Sequence, residues 1–202
     1  MTNKIQGLRI CVHGTDGSIE TFSQHQELVA ARIFGGLQPA RLFAAGKITI
    51  AGEYSLTVFV ASRITRIDFI RGEFPNWEYP PDVAEVVELS EAEFNGKAHL
   101  GDPARMEKRE QARVTGVTVM RFVDIRMLGG RHVFLALVRV VDLPVERLNA
   151  LHFLLSAPAL HFRLQQGGVG VLNLANMERF TVYPGPDRAP VDAWPAHHSG
   201  NH

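Results

Sequence analysis

Apolar and polar residues alternate over much of this 202-residue chain, and this period of two predicts β-strands. Ile48 and Ile50 alternate with polar neighbours, and Ile64–Ile70 is also predicted to be a strand. Val133–Val141 is almost continuously apolar, which indicates a strand covered on both faces. Further strands are predicted at Leu8–Val12, Ile19–Phe22, Lys47–Ala51, Ser55–Ala61, Val83–Leu89, Leu160–Leu164, Val169–Leu174 and Arg179–Tyr183. The pattern therefore predicts a mainly β fold.

The same order of elements occurs twice along the chain. Leu8–Ile70 and Val119–Tyr183 can be aligned with shifts of 112 to 115 residues. Asp16-Gly17 and Gly129-Gly130 occupy the first turn of each copy, where both residue types tolerate positive φ. A copy of about 65 residues is near the lower limit for a self-sufficient core. We therefore expect the two copies to bury apolar surface against each other or against another molecule.

The repeat divides the chain into two β units, residues 4–70 and 117–184. Residues 71–116 join them as an acidic linker, and its prolines restrict regular structure. Residues 185–202 show little periodicity and are expected to form a flexible tail. A two-unit organisation is therefore predicted.

Short helical segments are predicted between strands. Pro144 precedes Val145–Leu151, a favourable arrangement for a helix whose first turn contains proline. Glu27–Ala31 fits either a helical turn or a strand. A short helix is therefore expected in at least the second unit.

The formal net charge of zero hides an uneven distribution. Residues 4–70 carry +2 and 112–184 carry +4, whereas 71–111 carry −5 and 185–202 carry −1. A dedicated nucleic-acid-binding protein usually has a stronger basic excess, because phosphate contacts dominate its affinity. DNA binding is therefore not expected.

Cysteine usage and hydropathy favour a cytoplasmic protein. Cys11 is the only cysteine, so no internal disulfide is possible. Met1–Gly7 lacks the apolar region of a secretion signal. The longest apolar run, Val133–Val141, contains Arg139 and is too short to span a bilayer. No membrane association is expected.

Motifs for cofactor, metal or catalytic chemistry are weak. Gly168–Asn173 resembles part of a dinucleotide fingerprint, but it lacks the third glycine and leads into a strand, so a hairpin turn is favoured. The nine histidines form no His-Glu-x-x-His pair, and no cysteine pair supplies zinc-ligand spacing. No cofactor or metal is expected. An enzyme stays an alternative, with a pocket between the units lined by His152, His161 or Cys11.

An aromatic and proline-rich cluster lies in the linker. Phe74, Trp77 and Tyr79 stand beside Pro80-Pro81. Such a segment docks into a groove on a partner or packs over the core of its own chain. The sequence favours intramolecular packing and leaves partner docking as the functional alternative.

Arginines near the last strand of each unit are candidate ligand-binding residues. Arg63 and Arg66 flank the start of that strand in the first unit, and Arg179 lies in the corresponding strand of the second. Arginine binds phosphate and stacks on bases. Solvation of a strand surface is the more common role of such residues and is favoured here.

The end of each unit resembles the Sm-like family of small β-barrels. Val58–Ile67 and Val171–Met177 carry the likeness, with two short strands joined by a tight polar turn. In that family the turn helps to line an RNA pocket, and Ser62-Arg63 and Asn176 fall at comparable places. The Arg-Gly pair common in that turn is absent here. The chain is also similar to tandem bacterial domains of unknown function.

The resemblance implies two tandem five-stranded barrels, over 4–70 and 117–184, that pair through edge strands into larger assemblies. We therefore expect a non-catalytic binding or assembly protein that binds a protein partner or itself. An RNA-binding module that uses Arg63, Arg66, Asn176 and Arg179 is the first alternative. The enzyme described above is the second.

Overall fold

The structure is a computed structural model that describes residues 7–72, 77, 79, 83–98, 118–140, 157–183 and 194, with the backbone alone at 118–120 and 139–140. Its strands are β1 (Leu8–Gly14), β2 (Ile19–Gln24), β3 (Lys47–Ala51), β4 (Leu56–Val60), β5 (Ile64–Ile70), β6 (Val83–Leu89), β7 (Thr118–Met127), β8 (His132–Val140), β9 (Ala159–Arg163), β10 (Val169–Asn173) and β11 (Met177–Tyr183). Its helices are α1 (Glu27–Gly35), α2 (Pro39–Leu42) and α3 (Glu91–Ala98), and 3-10 turns lie at Ala61–Arg63 and Leu174–Asn176.

Nine of these strands form one mixed sheet in the order β11-β7-β8-β6-β9-β10-β5-β1-β2, and β3 and β4 form a separate hairpin. Neighbouring strands are antiparallel except β6 and β9, which are parallel. The prediction of a mainly β fold is confirmed. The sheet is open and runs through both halves, so the described strands do not divide clearly into two barrels. The cause is that β5 pairs with β10 across the halves, while β6 lies between β8 and β9.

Both halves contain the same strand pairings in the same register. His13 pairs with Arg66 between β1 and β5, and Arg126 pairs with Arg179 between β7 and β11, 113 residues later. The register shift next to this pair also recurs, because it skips Thr65 in β5 and Glu178 in β11. The hairpins β1–β2 and β7–β8 agree in register at the same offset. The hairpins β3–β4 and β9–β10 match with an offset of 112 residues for β3 and 113 for β4, because the loop between β9 and β10 is one residue longer.

Two backbone hydrogen bonds show the same correspondence. The Thr15 amide in the β1–β2 turn donates to the Arg63 carbonyl at 2.9 Å. The Leu128 amide in the β7–β8 turn donates to the Asn176 carbonyl, also at 2.9 Å. Each bond ties a hairpin turn to a 3-10 turn. β1, β2, β3, β4 and β5 therefore correspond in pairing to β7, β8, β9, β10 and β11.

The hydrophobic interior has two main clusters, and β10 contributes to both. The first-half core contains Val169 and Val171 from β10 beside residues of the first half: Leu8, Val12, Ala30, Phe34, Ile64, Ile67 and Phe69. Leu172, the residue of β10 that follows Val171, belongs instead to the second-half core. Only glycine fits at position 170, because a Cβ there would overlap the ring of Phe162.

The joining segment contains regular structure in its described part. β6 occupies Val83–Leu89, as predicted. The helix α3 was not predicted, although Ser90 and Glu93 form a capping box at its start. The Ser90 amide and hydroxyl donate to the Glu93 carboxylate, and these bonds lower the pKa of Glu93. Phe94 of α3 is buried against Phe122 and Phe134.

Several other predictions can be compared with the residues that the structure describes. Glu27–Ala31 lies within α1, which decides between the helix and the strand considered for it. Gly167 and Gly168 have φ of 92° and 88°, as the predicted hairpin turn requires. Val145–Leu151 and most of the 185–202 tail lie outside the described residues, so these two predictions stay predictions.

Candidate interaction surface

The outer face of β4 presents three aliphatic side chains to solvent. Leu56, Val58 and Val60 are 67%, 49% and 50% exposed. Thr57 and Phe59 alternate with them and point inward, and Phe59 packs on the first-half core. One edge of β4 pairs with β3, and within the described residues no strand pairs with the other edge.

The corresponding strand of the second half is fully buried. Val169 and Val171 occupy in β10 the positions of Leu56 and Val58 in β4, and they are 0% and 1% exposed. β10 is covered because its edge pairs with β5 and its two valines enter the first-half core. The strands have similar side chains and opposite environments.

The strands β5 and β11 differ in the same way. All seven residues of β5 are buried, since β1 pairs with one edge and β10 with the other. In β11, Phe180, Thr181 and Val182 are only half-buried. β11 pairs with β7 at one edge and ends the described sheet at the other.

Two asparagine amides close the junction between the halves. Asn173 Nδ2 donates to the carbonyls of Ala61 and Ile64 at 2.9 and 3.0 Å. Asn176 Nδ2 donates to the carbonyls of Ser62 and Ile64 at 3.0 and 2.7 Å. Asn176, predicted as a ligand-binding residue, is therefore buried with both amide protons in use. Asn173 was not singled out from the sequence, although its position before a turn was a signal for such a contact.

Arg66, a second predicted ligand-binding residue, lies inside the fold. Its Nε contacts Asp68 Oδ1 and its Nη1 contacts Glu88 Oε1, each at 2.6 Å. The guanidinium lies over the ring of Phe162 at 4.9 Å. Burial opposes the charged form, but the carboxylates of Asp68 and Glu88 outweigh it and raise the pKa of Arg66. These two carboxylates already balance its charge, which leaves Arg66 unsuited to bind phosphate.

His13 and Asp68 form a pair that resembles part of a catalytic triad. His13 Nε2 lies 2.9 Å from Asp68 Oδ2. Arg131 contacts Nδ1 of His13, and because arginine only donates, Nδ1 accepts and Nε2 carries the proton. Burial raises the pKa of the Asp68 carboxyl, but the hydrogen bond from His13 and the charge of Arg66 hold it below its usual value. Arg131 occupies the nitrogen that a general base would need, so this pair is structural.

Arg63 and Arg179, the remaining predicted arginines, are exposed. Arg63 lines a cleft of about 300 Å³ beside β4, together with Asp16 and Glu20. Hydrogen bonds from Ser18 lower the pKa of Asp16, which keeps it charged. Arg179 Nη2 lies 3.8 Å from Asp124 Oδ2. Both arginines therefore lie near carboxylates of their own chain.

The aromatic residues of the linker pack on their own chain. The Tyr79 ring stacks on His161 at 4.6 Å between centroids, and Trp77 meets His161 edge-on at 5.2 Å. Burial lowers the pKa of His161 to about 4 and raises that of Tyr79 to about 12. Phe74 lies outside the described residues, and docking of a partner on this cluster stays a prediction.

The residues expected to line a pocket in the enzyme alternative are not brought together in the described part of the chain. Cys11 is half-buried and its sulfur accepts a hydrogen bond from Thr21. His161 lies under the linker aromatics, and His152 is outside the described residues. Among the residues that the structure describes, no group of three His, Cys, Asp or Glu side chains is placed to hold a metal ion.

Comparisons with protein-family models, with curated proteins and with solved structures find no match for this chain. In the described ranges, none of the helices has the length and apolar character needed to cross a membrane.

Proposed function

We propose that this chain is a non-catalytic assembly protein that binds protein through the free edge of β4. The exposed aliphatic row Leu56, Val58 and Val60 carries the proposal. A free strand edge offers backbone donors and acceptors to another strand, and side chains on its face add apolar contact.

The energetics favour a covered state of this strand. Burying a valine or leucine side chain completely contributes about 1.5–3 kcal/mol. Natural proteins usually protect a free edge with charges, proline or a bulge. On the outer face of the β3–β4 hairpin, Lys47 is the only charged side chain, and it pairs with Val60. β4 therefore has the exposed apolar side chains and the unprotected edge that are typical of a protein interface.

Charge favours a protein partner over RNA. Arg66 is neutralised by Asp68 and Glu88, and Arg63 shares its cleft with Asp16 and Glu20. A phosphate chain would meet carboxylates at these positions, whereas RNA-binding grooves are strongly positive. The described arginines thus give the RNA alternative little support.

The proposal includes an internal duplication of a small β unit similar to the Sm-like barrel. The repeated register, including the matching shifts at Thr65 and Glu178, supports the duplication. Assembly through strand edges suits such a unit, since one junction of this kind already exists between β5 and β10.

The test is the mass of the protein in solution. We expect the unmodified protein to be larger than a monomer in light scattering at micromolar concentration. Val58→Lys places a charge on the exposed face and should convert the protein to a monomer that keeps the circular dichroism spectrum of the unmodified protein. Leu28→Lys is the matched control, because Leu28 is 87% exposed on α1, away from β4.

Two results would contradict the proposal. One is the same mass for the unmodified protein and Val58→Lys. The other is micromolar binding to a labelled single-stranded RNA that weakens with salt and is insensitive to Val58→Lys. The second result would favour the RNA alternative.

A further inference from the structure

We infer that the strand which covers β4 is β11 of a second copy of this chain, added antiparallel to it. This inference rests on the proposed function and names its partner. The β5–β10 pairing inside each chain is the template for the contact between chains.

The template joins the fourth strand of the second half to the fifth strand of the first. β10 pairs with β5 through Val169↔Phe69, Gly170↔Asp68, Val171↔Ile67 and Leu172↔Arg66. The β1–β5 pairing recurs as β7–β11 at an offset of 113 residues, and β4 corresponds to β10 at the same offset. A strand like β4 therefore has the backbone geometry to pair with a strand like β11.

Both strands needed for a second junction of this kind are present and uncovered. β4 corresponds to β10, and β11 corresponds to β5. Within the described residues, each has one edge without a neighbouring strand. Leu56 and Val58 are exposed and Phe180 and Val182 are half-buried, whereas their counterparts in β10 and β5 are buried. One chain therefore offers two complementary edges.

The offset predicts the register of the contact between chains. Shifting each residue of the β5–β10 pairs by 113 gives the following partners: Leu56↔Val182, Thr57↔Thr181, Val58↔Phe180 and Phe59↔Arg179. The first and third pairs join exposed aliphatic residues to half-buried apolar ones. The second pair joins two threonines, which suit a β-ladder.

Arg63 has a role in this contact. It occupies in the first half the position of Asn176, whose amide donates to the carbonyls of Ser62 in the 3-10 turn and of Ile64 at the start of β5. The corresponding carbonyls of the second half belong to Ala175 and Met177. Arg63 is exposed and carries several donors, so it supplies this bond to the second copy.

The contact joins two different surfaces, so the copy that pairs through β4 keeps its β11 edge free, and the copy that pairs through β11 keeps its β4 edge free. Such head-to-tail contacts close into rings or continue as filaments. This property distinguishes the inference from a symmetric dimer in which β4 pairs with β4 of another copy.

The decisive experiment mixes two blocked variants. Val58→Lys blocks β4 and leaves β11 intact, whereas Thr181→Lys blocks β11 and leaves β4 intact. We expect each variant alone to be monomeric and an equimolar mixture to form a 1:1 dimer in sedimentation velocity. A Thr181→Lys variant that still dimerises alone would overturn the inference in favour of a symmetric β4–β4 contact, while the proposed function would stand.

Cross-linking then tests the register, in a Cys11→Ser background. Thr57→Cys mixed with Thr181→Cys should form a disulfide-linked heterodimer at least tenfold faster than Thr57→Cys mixed with Glu178→Cys. Strand partners bring Cα atoms to about 4.5–5.5 Å, within disulfide range. Equal rates for the two mixtures would overturn the predicted register. If unmodified protein and Val58→Lys are both monomers, the proposed function itself is wrong.

Discussion

β4 and β10 are equally long, occupy corresponding positions and carry aliphatic residues on the same face, but only β10 is covered. Val169 and Val171 are buried because β5 and the first-half core lie against them, whereas Leu56 and Val58 lie in solvent. The environment of each strand therefore depends on which neighbour the chain supplies. A strand sequence specifies a surface to be covered, and tertiary or quaternary structure decides what covers it.

The largest expected difference in the free energy of unfolding is between alanine variants of Arg66 and of its counterpart Arg179. Arg66→Ala leaves the buried carboxylate of Asp68 and the half-buried carboxylate of Glu88 without the guanidinium between them, and should lower the free energy of unfolding by about 3–5 kcal/mol. Arg179→Ala should change it by less than about 1 kcal/mol, because that side chain is exposed. Guanidinium denaturation measures both values. Similar losses would show that the two halves do not differ here as described.

A smaller difference in stability is expected between alanine variants of Gly170 and of its counterpart Thr57. Gly170→Ala introduces a Cβ into the ring of Phe162 and should cost about 2–3 kcal/mol by overpacking. Thr57→Ala in β4 should cost less than about 1 kcal/mol. Thermal unfolding followed by circular dichroism compares them. Restoration of stability to Gly170→Ala by Phe162→Leu would confirm the contact, and tolerance of Gly170→Ala without it would contradict it.

The junction amides should contribute about 1–2 kcal/mol each. Asn176→Ala removes one hydrogen bond to the buried Ile64 carbonyl and one to the partly buried Ser62 carbonyl, and leaves both carbonyls less well satisfied. Asn95→Ala on the exposed face of α3 is the control and should be neutral or slightly stabilising. Urea denaturation at neutral pH gives both values. A neutral Asn176→Ala would show that the amide does not hold the halves together.

The smallest effect concerns the covered face of β9. The folded pKa of His161, about 4, lies below its ordinary value of 6.5, so the unfolded state takes up the proton first as pH falls. Stability from this group is present above pH 6.5 and is lost between pH 6.5 and 4. His161→Phe keeps the packing against Tyr79 and should reduce the loss between pH 7 and 5 by roughly 1 kcal/mol. Denaturation midpoints at both pH values check this, and an unchanged pH dependence would contradict it.

The strands were predictable because their signal is local. The local apolar pattern predicted strands at Lys47–Ala51, Ile64–Ile70 and Val83–Leu89 with the bounds that the structure has. The capping residues Ser90 and Glu93 also marked α3, but the charge of the segment favoured a solvated linker. Local patterns specify elements well when the relevant contacts lie within a few residues.

The continuous sheet and the roles of the candidate residues depend on distant contacts. β5 meets β10 about 100 residues further along the chain, and no periodicity within either strand encodes that pairing. Arg66 has the sequence context of a strand-surface residue, and its burial depends on contacts that are distant in sequence, with the ring of Phe162 and with the carboxylate of Glu88, 22 residues away. Asn176 likewise has the sequence context of an exposed turn, although its partners lie 112 and 114 residues away.

The shared strand β10 couples the folding of the two halves. Val171 and Leu172 are adjacent in sequence but belong to different cores. Unfolding of either core therefore removes the packing from one face of β10. The chain should therefore unfold in a single cooperative transition, and proteolysis between the halves should yield fragments that cannot refold separately.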